Sequence, residues 1–243
     1  MYLSRIELDT RKRETLKALA YPGVMHGAVE RCFEARSDRR LWRIDRCNNR
    51  TWLLILSAQK PDFTQLAQQL CAPGTEGLSK SYDALLAGIQ NGQSYKFRLC
   101  ANPVHRTKRD VKLPNNDTQA RGQVRAHVTQ DQQCQWLIDR AENCGFALEL
   151  GEKVTKTSKN RGENGQSFID SHEVWSHPSF DVVHTEWKEF GKGNQNRPVT
   201  MRIAIFEGTL TVTDAERFKD KLINGIGREK AYGCGLLTIM RIS

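Results

Sequence analysis

The chain has 243 residues, of which 38% are hydrophobic, enough for one large globular domain or two of about 110 residues, and two are expected. Its 37 Lys and Arg outnumber 28 Asp and Glu, and the resulting net charge of +9 has the sign that favours a nucleic-acid partner. Seven scattered cysteines without a Cys-x-x-Cys pair argue against a disulfide scaffold; the lack of a leader-like start or a long apolar run argues against secretion or a membrane span, so a cytoplasmic protein with reduced thiols and no membrane partner is expected.

Tyr2, Ile6 and Leu8 share one face of an opening strand, with Arg5 and Glu7 on the other. The basic run Arg11-Lys12-Arg13 begins a helical stretch through Leu16, Leu19 and Ala20, which Pro22-Gly23 interrupts. Helix resumes at about Val24. There Met25, Ala28, Val29, Cys32 and Phe33 form a buried stripe, and His26 falls about 100° round from it. Leu41 to Ile44 and Trp52 to Leu56 read as a strand pair joined by the polar turn Cys47-Asn48-Asn49-Arg50. Phe63, Leu66, Ala67, Leu70 and Cys71 make a second helical stripe between Pro61 and Pro73-Gly74. Tyr95, Phe97, Leu99 and Ala101 alternate with Lys96 and Arg98 in what is expected as the closing strand of a β-α-β-β-α-β, ferredoxin-like unit over residues 1–105.

Residues 106–127 are polar and basic and read as a connection, with a short strand at Val111 to Leu113. A second unit is expected over residues 128–243. Thr129 with Gln132 resembles a capping box ahead of the face Cys134, Leu137, Ile138 and Ala141, and Phe146, Leu148 and Leu150 follow as a strand. Lys153 to Gln166 reads as a mobile basic hairpin or loop. Strands follow at Val182 to Trp187, Met201 to Phe206 and Thr209 to Val212. A capping box at Thr213 and Glu216 opens a helix that stops at Asn224-Gly225, and Leu237, Ile239 and Ile242 form the last strand. This half repeats the β-β-α-β ending of the first, although its opening strand is poorly marked. The expected fold is α+β, a tandem of ferredoxin-like (RRM-like) domains with a C-terminal glycine-rich loop.

That loop carries Gly225, Gly227, Gly233 and Gly235 with Arg228 and Lys230. A P-loop would need Ser or Thr after the lysine and a helix behind it, but Ala231 follows Lys230. A dinucleotide fingerprint fails for want of a third glycine at Lys230 or Thr238, and the chain is too short beyond Gly235 for a βαβ unit. Two readings remain open: a helix stop with tight turns, or close approach of a polymeric phosphate to the main chain.

Several pieces together resemble one family, the CRISPR-associated repeat endoribonuclease CasE of the type I-E Cascade complex. They are Met1-Tyr2-Leu3-Ser4, His26-Gly27-Ala28-Val29-Glu30, Leu41-Trp42-Arg43, Phe97-Arg98-Leu99 with Ala101-Asn102-Pro103, Phe206-Glu207-Gly208 and the glycine loop, in the family's order along nearly the whole chain. The resemblance implies tandem ferredoxin-like domains that bind the repeat hairpin of precursor CRISPR RNA, cut it without metal or other cofactor, and stay on the product with the other Cascade subunits.

By this resemblance His26 is the catalytic residue; from the chain alone, polar surface is the more usual reading of a histidine near a helix end. Many members place a tyrosine three residues before the histidine, where this chain has Gly23, so Tyr21 is a weak candidate for that role, with capping of the first helix or packing against it as the alternative. Arg31, Arg36, Lys108, Arg109, Lys153, Lys156 and Arg161 are candidates to seat RNA, with exposed solubilising charge as the alternative, and the loop's Gly225, Gly227, Arg228, Lys230, Gly233 and Gly235 join them by resemblance. His172, His177 and His184 lack metal-ligand spacing, and the five tryptophans read as core or sheet residues rather than stacking platforms. The rival reading is a non-catalytic RNA-binding subunit of the same fold. A metal-dependent nuclease is more remote.

Overall fold

The computed structural model describes residues 1–34, 39–107, 123–161, 167–191 and 198–242. Its first sheet is built by β1 (Tyr2–Leu8), helices α1 (Arg13–Ala20) and α2 (Pro22–Glu30), β2 (Leu41–Cys47), β3 (Arg50–Ser57), α3 (Thr64–Leu70) and β4 (Leu78–Ser81). The strand order is β2-β3-β1-β4, all antiparallel, the order of a ferredoxin-like unit. Asn48 and Asn49 both hold positive φ (51° and 59°), so a two-residue turn joins β2 to β3 with the twist that a tight hairpin needs. Ile6, Leu53, Ile55, Met25, Val29 and Leu66 pack between this sheet and its helices. The second helix begins at Pro22 rather than Val24, because a proline at the first helical position loses no hydrogen bond and already has the helical φ.

A short helix α4 (Asp83–Ala87) leads to β5 (Ser94–Ala101), and here the expected topology is corrected. β5 does not close the first sheet. It lies in the second, between the strands named below as β12 and β13. Tyr95, Phe97 and Leu99 are apolar enough for a central strand of either sheet, whereas the real closing strand, Leu-Ser-Lys-Ser, is a polar edge with little pattern to read. β5 is the opening strand that the second half lacked. The sheets therefore divide the chain between Ser81 and Ser94, not near residue 105.

The basic stretch after β5 is not a plain connection, since β6 (Val104–Thr107) pairs with β7 (Gln123–Ala126). The strand expected at Val111 to Leu113 lies outside the described residues. There follow α5 (Gln130–Ala141), β8 (Phe146–Ala147), the hairpin β9 (Lys153–Arg161) and β10 (Ser167–Trp175), β11 (Phe180–Phe190), β12 (Val199–Val212), α6 (Ala215–Asn224) and β13 (Leu237–Arg241). The order β11-β12-β5-β13 repeats that of the first sheet. Thr129 and Gln132 cap α5 as expected, but α6 is capped one residue later than expected, by Asp214 accepting from the Arg217 N–H.

One core runs through the second unit and into the first, where Leu41, Leu56 and Tyr82 join Leu99, Phe206 and Leu237. Across this seam reaches Arg43, with 2% of its side chain exposed. Its Nη1 donates to the carbonyls of Arg98 (2.9 Å) and Leu236 (3.0 Å), Nη2 donates to Thr238 Oγ1 (2.9 Å), and Nε and Nη2 both donate to Asp45 (2.8 Å each). A planar fork with five N–H groups can serve all these acceptors at once. All seven cysteines are free and five are buried, as core filler would be. No described helix is long and apolar enough to cross a membrane.

Candidate nucleic-acid interface

Met25, Ala28 and Val29 point α2 into the core, which turns His26 to its edge with 38% of the side chain exposed. Its Nδ1 is buried and lies 3.9 Å from Glu30 Oε1, beyond hydrogen-bond reach. Glu30 Oε2 accepts from the buried Arg40 at 2.5 Å, so the carboxylate is fixed from behind. With Nδ1 enclosed, Nε2 is the nitrogen left to meet a substrate.

The same helix packs against the short 3-10 turn Lys230–Tyr232 of the glycine loop. This contact brings the helix that carries His26 against the turn that carries Lys230. Lys230 is pushed below the usual lysine range by burial, and next by the positive charges of Arg39 and Lys221, against which Asp220 counts less. An anion would relieve that repulsion. Arg39 escaped the sequence reading; the only signal was the dibasic pair Arg39-Arg40 ahead of β2.

The glycines themselves face inward. Gly225, Gly233 and Gly235 are buried, and their N–H groups bind the carbonyls of Lys221 (2.8 Å), Lys230 (3.4 Å) and Cys100 (2.6 Å). At Gly233 (φ 84°) a Cβ would stand 2.7 Å from the Trp42 ring. Those three glycines are thus accounted for by the turn and its packing. Gly227 is half-buried and Arg228 is exposed.

The other candidates divide. Tyr21 is exposed at the break between α1 and α2, where its carbonyl accepts from the Val24 N–H (2.8 Å). A Cβ at Gly23 would meet nothing within 4 Å. Arg31 turns towards α3 and donates to Gln69 Oε1 at 3.2 Å. Lys153 pairs with Glu173 (3.3 Å), and Lys156 pairs with Asp131 on α5 (3.0 Å), beside His172. Arg36, Lys108, Arg109 and the side chain of Arg161 lie outside the described residues. Trp42 and Trp136 are core residues, whereas Trp187 is half exposed.

Between α1–α2 and the second sheet lies a cleft of about 410 Å³ with Pro22, Trp42 and Tyr232 in its walls. Lys188 Nζ crosses it to donate to the Leu19 carbonyl (3.0 Å), tying β11 to the end of α1.

Comparison with known proteins places these features in context. Residues 1–241 match the model of a family described as CRISPR associated protein. The CRISPR-associated endoribonuclease Cse3 of Thermus thermophilus is 28% identical, over 98% of this chain and 99% of the relative. A solved structure of CRISPR endoribonuclease Cse3 bound to a 19-nucleotide RNA superposes with a TM-score of 0.72 at 25% identity, covering 99% of this chain and all of that one. Cas6e from Escherichia coli shares the fold at a TM-score of 0.60 and 18% identity, with full coverage of both chains.

Proposed function

The chain belongs to the CRISPR-associated protein family, and on that premise we propose that it binds the repeat hairpin of precursor CRISPR RNA and cuts it as a metal-independent endoribonuclease. The ribose 2′-OH attacks the adjacent phosphorus, the P–O5′ bond breaks, and the products are a 2′,3′-cyclic phosphate and a free 5′-OH. The nucleophile is tethered to its target, so the substrate itself supplies proximity and no metal is needed to generate an attacking water. His26 moves a proton, taking it from the 2′-OH or giving it to the leaving oxygen, a contribution of about 10²–10⁴-fold. Lys230, Arg228 and Arg39 hold the phosphates and carry no base code. The enzyme works in the cytoplasm and stays on the cut hairpin within Cascade.

The observation that carries this reading is the packing of the His26 helix on the Lys230–Tyr232 turn. It brings the helix of a partly exposed histidine against a loop whose Lys230 is repelled by Arg39 and Lys221. The likeness to an endoribonuclease, and to one bound to RNA, supports it. One observation favours a second reading, a binding subunit that does not cut: Gly23 leaves empty the position where a phenol would stand one turn before His26.

The test is cleavage of a cognate repeat RNA in EDTA by wild type and His26→Ala. Wild type is expected to cut and His26→Ala to bind without cutting. Binding without cutting by wild type selects the second reading, and undiminished cutting by His26→Ala removes His26 from the mechanism.

A further inference from the structure

A separate recess of about 220 Å³ opens where the glycine loop meets α5 and the β6–β7 hairpin. Its described walls carry Arg106, Arg140 and Arg228 and no acidic side chain. Two wall residues hold buried polar atoms that lack a hydrogen-bond partner among the described residues. These are Oδ1 of Asn102, 5% exposed, and Nε1 of Trp136, 2% exposed. The first can only accept and the second can only donate. A buried polar atom is stabilised by a partner, so a ligand that offers a donor to Asn102 and an acceptor to Trp136 would satisfy both.

The recess also has flat surfaces. The exposed His105 ring lies 4.6 Å, centre to centre, from that of His127. Burial first, and then the charge of His105, hold the His127 imidazole below its usual range, which favours a neutral ring. The Arg140 guanidinium lies 4.3 Å over the Trp136 ring and donates to the Trp136 carbonyl (2.9 Å), so it is held flat and in place.

A nucleotide unit offers all three features: a phosphate for the arginines, a base edge with a donor and an acceptor, and a face for stacking. A base paired within a stem has its edge turned to its partner strand, so the nucleotide read by these side chains is unpaired. We propose that this recess binds one unpaired nucleotide of the strand adjoining the RNA hairpin. Arg106 and Arg228 take its phosphate, Asn102 and Trp136 its base edge, and His105 its face. Arg228 stands two residues before Lys230, whose turn packs on the His26 helix, so a strand held at His26 reaches the recess along the glycine loop. This inference rests on the hairpin-cleaving function proposed above.

Fluorescence anisotropy tests it with three RNAs: a bare repeat hairpin, and the hairpin extended by a few unpaired nucleotides on its 5′ or its 3′ side. One extended RNA is expected to bind wild type roughly tenfold more tightly than the bare hairpin. His105→Ala and Arg106→Ala, both at exposed positions, are expected to bring it down to the affinity of the bare hairpin. Asn102→Ala should do the same where circular dichroism reports a native fold. Equal binding of all three RNAs by wild type overturns the proposal, as do variants that weaken all three in the same proportion. If wild type binds no hairpin, the functional reading fails instead, and the recess is then read by competition at the Trp136 fluorescence. Nucleoside monophosphates outcompeting inorganic phosphate would support it, and equal competition would leave a simple anion site.

Discussion

His26 Nδ1 lies 3.9 Å from Glu30 Oε1, one helical turn further along α2, while Glu30 Oε2 accepts from Arg40 Nη1 at 2.5 Å. The carboxylate is held by the arginine and stands beside the imidazole without a hydrogen bond to it. Glu30→Gln keeps the shape and removes the charge. Its single-turnover cleavage rate is expected to fall about tenfold, while the affinity for hairpin RNA changes less than about twofold. An affinity loss as large as the rate loss would show that Glu30 only supports the fold of the RNA site.

Gly23 offers a gain rather than a loss. It is exposed, with open space where a side chain would grow. Gly23→Tyr places a phenol three residues before His26 on the same helix face. The helix should gain roughly 0.5 kcal/mol from propensity alone, read as a raised Tm. Cleavage is expected to rise a few-fold, by about 2–5 times. A stabilised but no faster enzyme would mean that the chemistry does not use a phenol there.

Gly233 shows what the loop's glycines are for. Both Gly233 and Gly74 hold positive φ (84° and 77°), but only at Gly233 would a Cβ strike a ring, that of Trp42. Gly74→Ala should therefore cost about 1 kcal/mol, the left-handed strain alone. Gly233→Ala adds overpacking and should cost about 3 kcal/mol, with a change in Trp42 fluorescence. Equal losses from the two would refute the packing role.

Arg43 is the joint between the two sheets. Arg43→Ala leaves the carbonyls of Arg98 and Leu236 and the Asp45 carboxylate without their shared donor, at a cost of roughly 3–5 kcal/mol in denaturant unfolding. Arg43→Lys cannot reproduce the fork and should recover less than about half of that. A Tm within about 2 °C of wild type would show that the apolar seam alone holds the units together.

Lys156 serves two masters if it also meets RNA. Burial raises the Asp131 pKa, but hydrogen bonds from Lys156 and His172 outweigh it, and the net direction is downwards. A depressed carboxylate contributes stability above its unfolded value of 3.8, and that contribution disappears as pH falls through the folded value. The β9–β10 hairpin should therefore stay docked on α5 at neutral pH and loosen in acid, as faster amide exchange over residues 153–157. Asp131→Asn should loosen it at neutral pH and free Lys156 for phosphate. RNA affinity would then rise about 2–5-fold, with a steeper salt dependence by about one unit of slope. Weaker binding would place Lys156 outside the RNA surface.

Much was legible in the chain because it depends on local periodicity. The Asn48-Asn49 turn and the Thr129 cap are short-range patterns and stand in the structure as read, as do the buried stripes within α2 and α3, although α2 ends at Glu30, before Cys32 and Phe33, and Phe63 and Cys71 flank α3. The resemblance carried by His26-Gly27-Ala28-Val29-Glu30 and the glycine loop was visible too, since it needs only residue order. What failed was the assignment of β5. A strand's pattern tells which of its faces is buried but not which sheet buries it, and the true closing strand of the first unit, Leu78–Ser81, is too polar and short to compete for the place.

The sequence by itself therefore determined the classes of element, the basic balance and the family. Only the tertiary structure decided partners that are distant along the chain. It set the His26 helix against a turn some two hundred residues later, made Arg43 the bolt between two sheets, tied Lys156 to Asp131, and gathered Arg106, Arg140 and Arg228 with Asn102 and Trp136 around one recess. The physical reason is that hydrogen bonds and charges act over a few ångströms of space, while sequence records only distance along the backbone, and the two agree only within a helix turn or a hairpin.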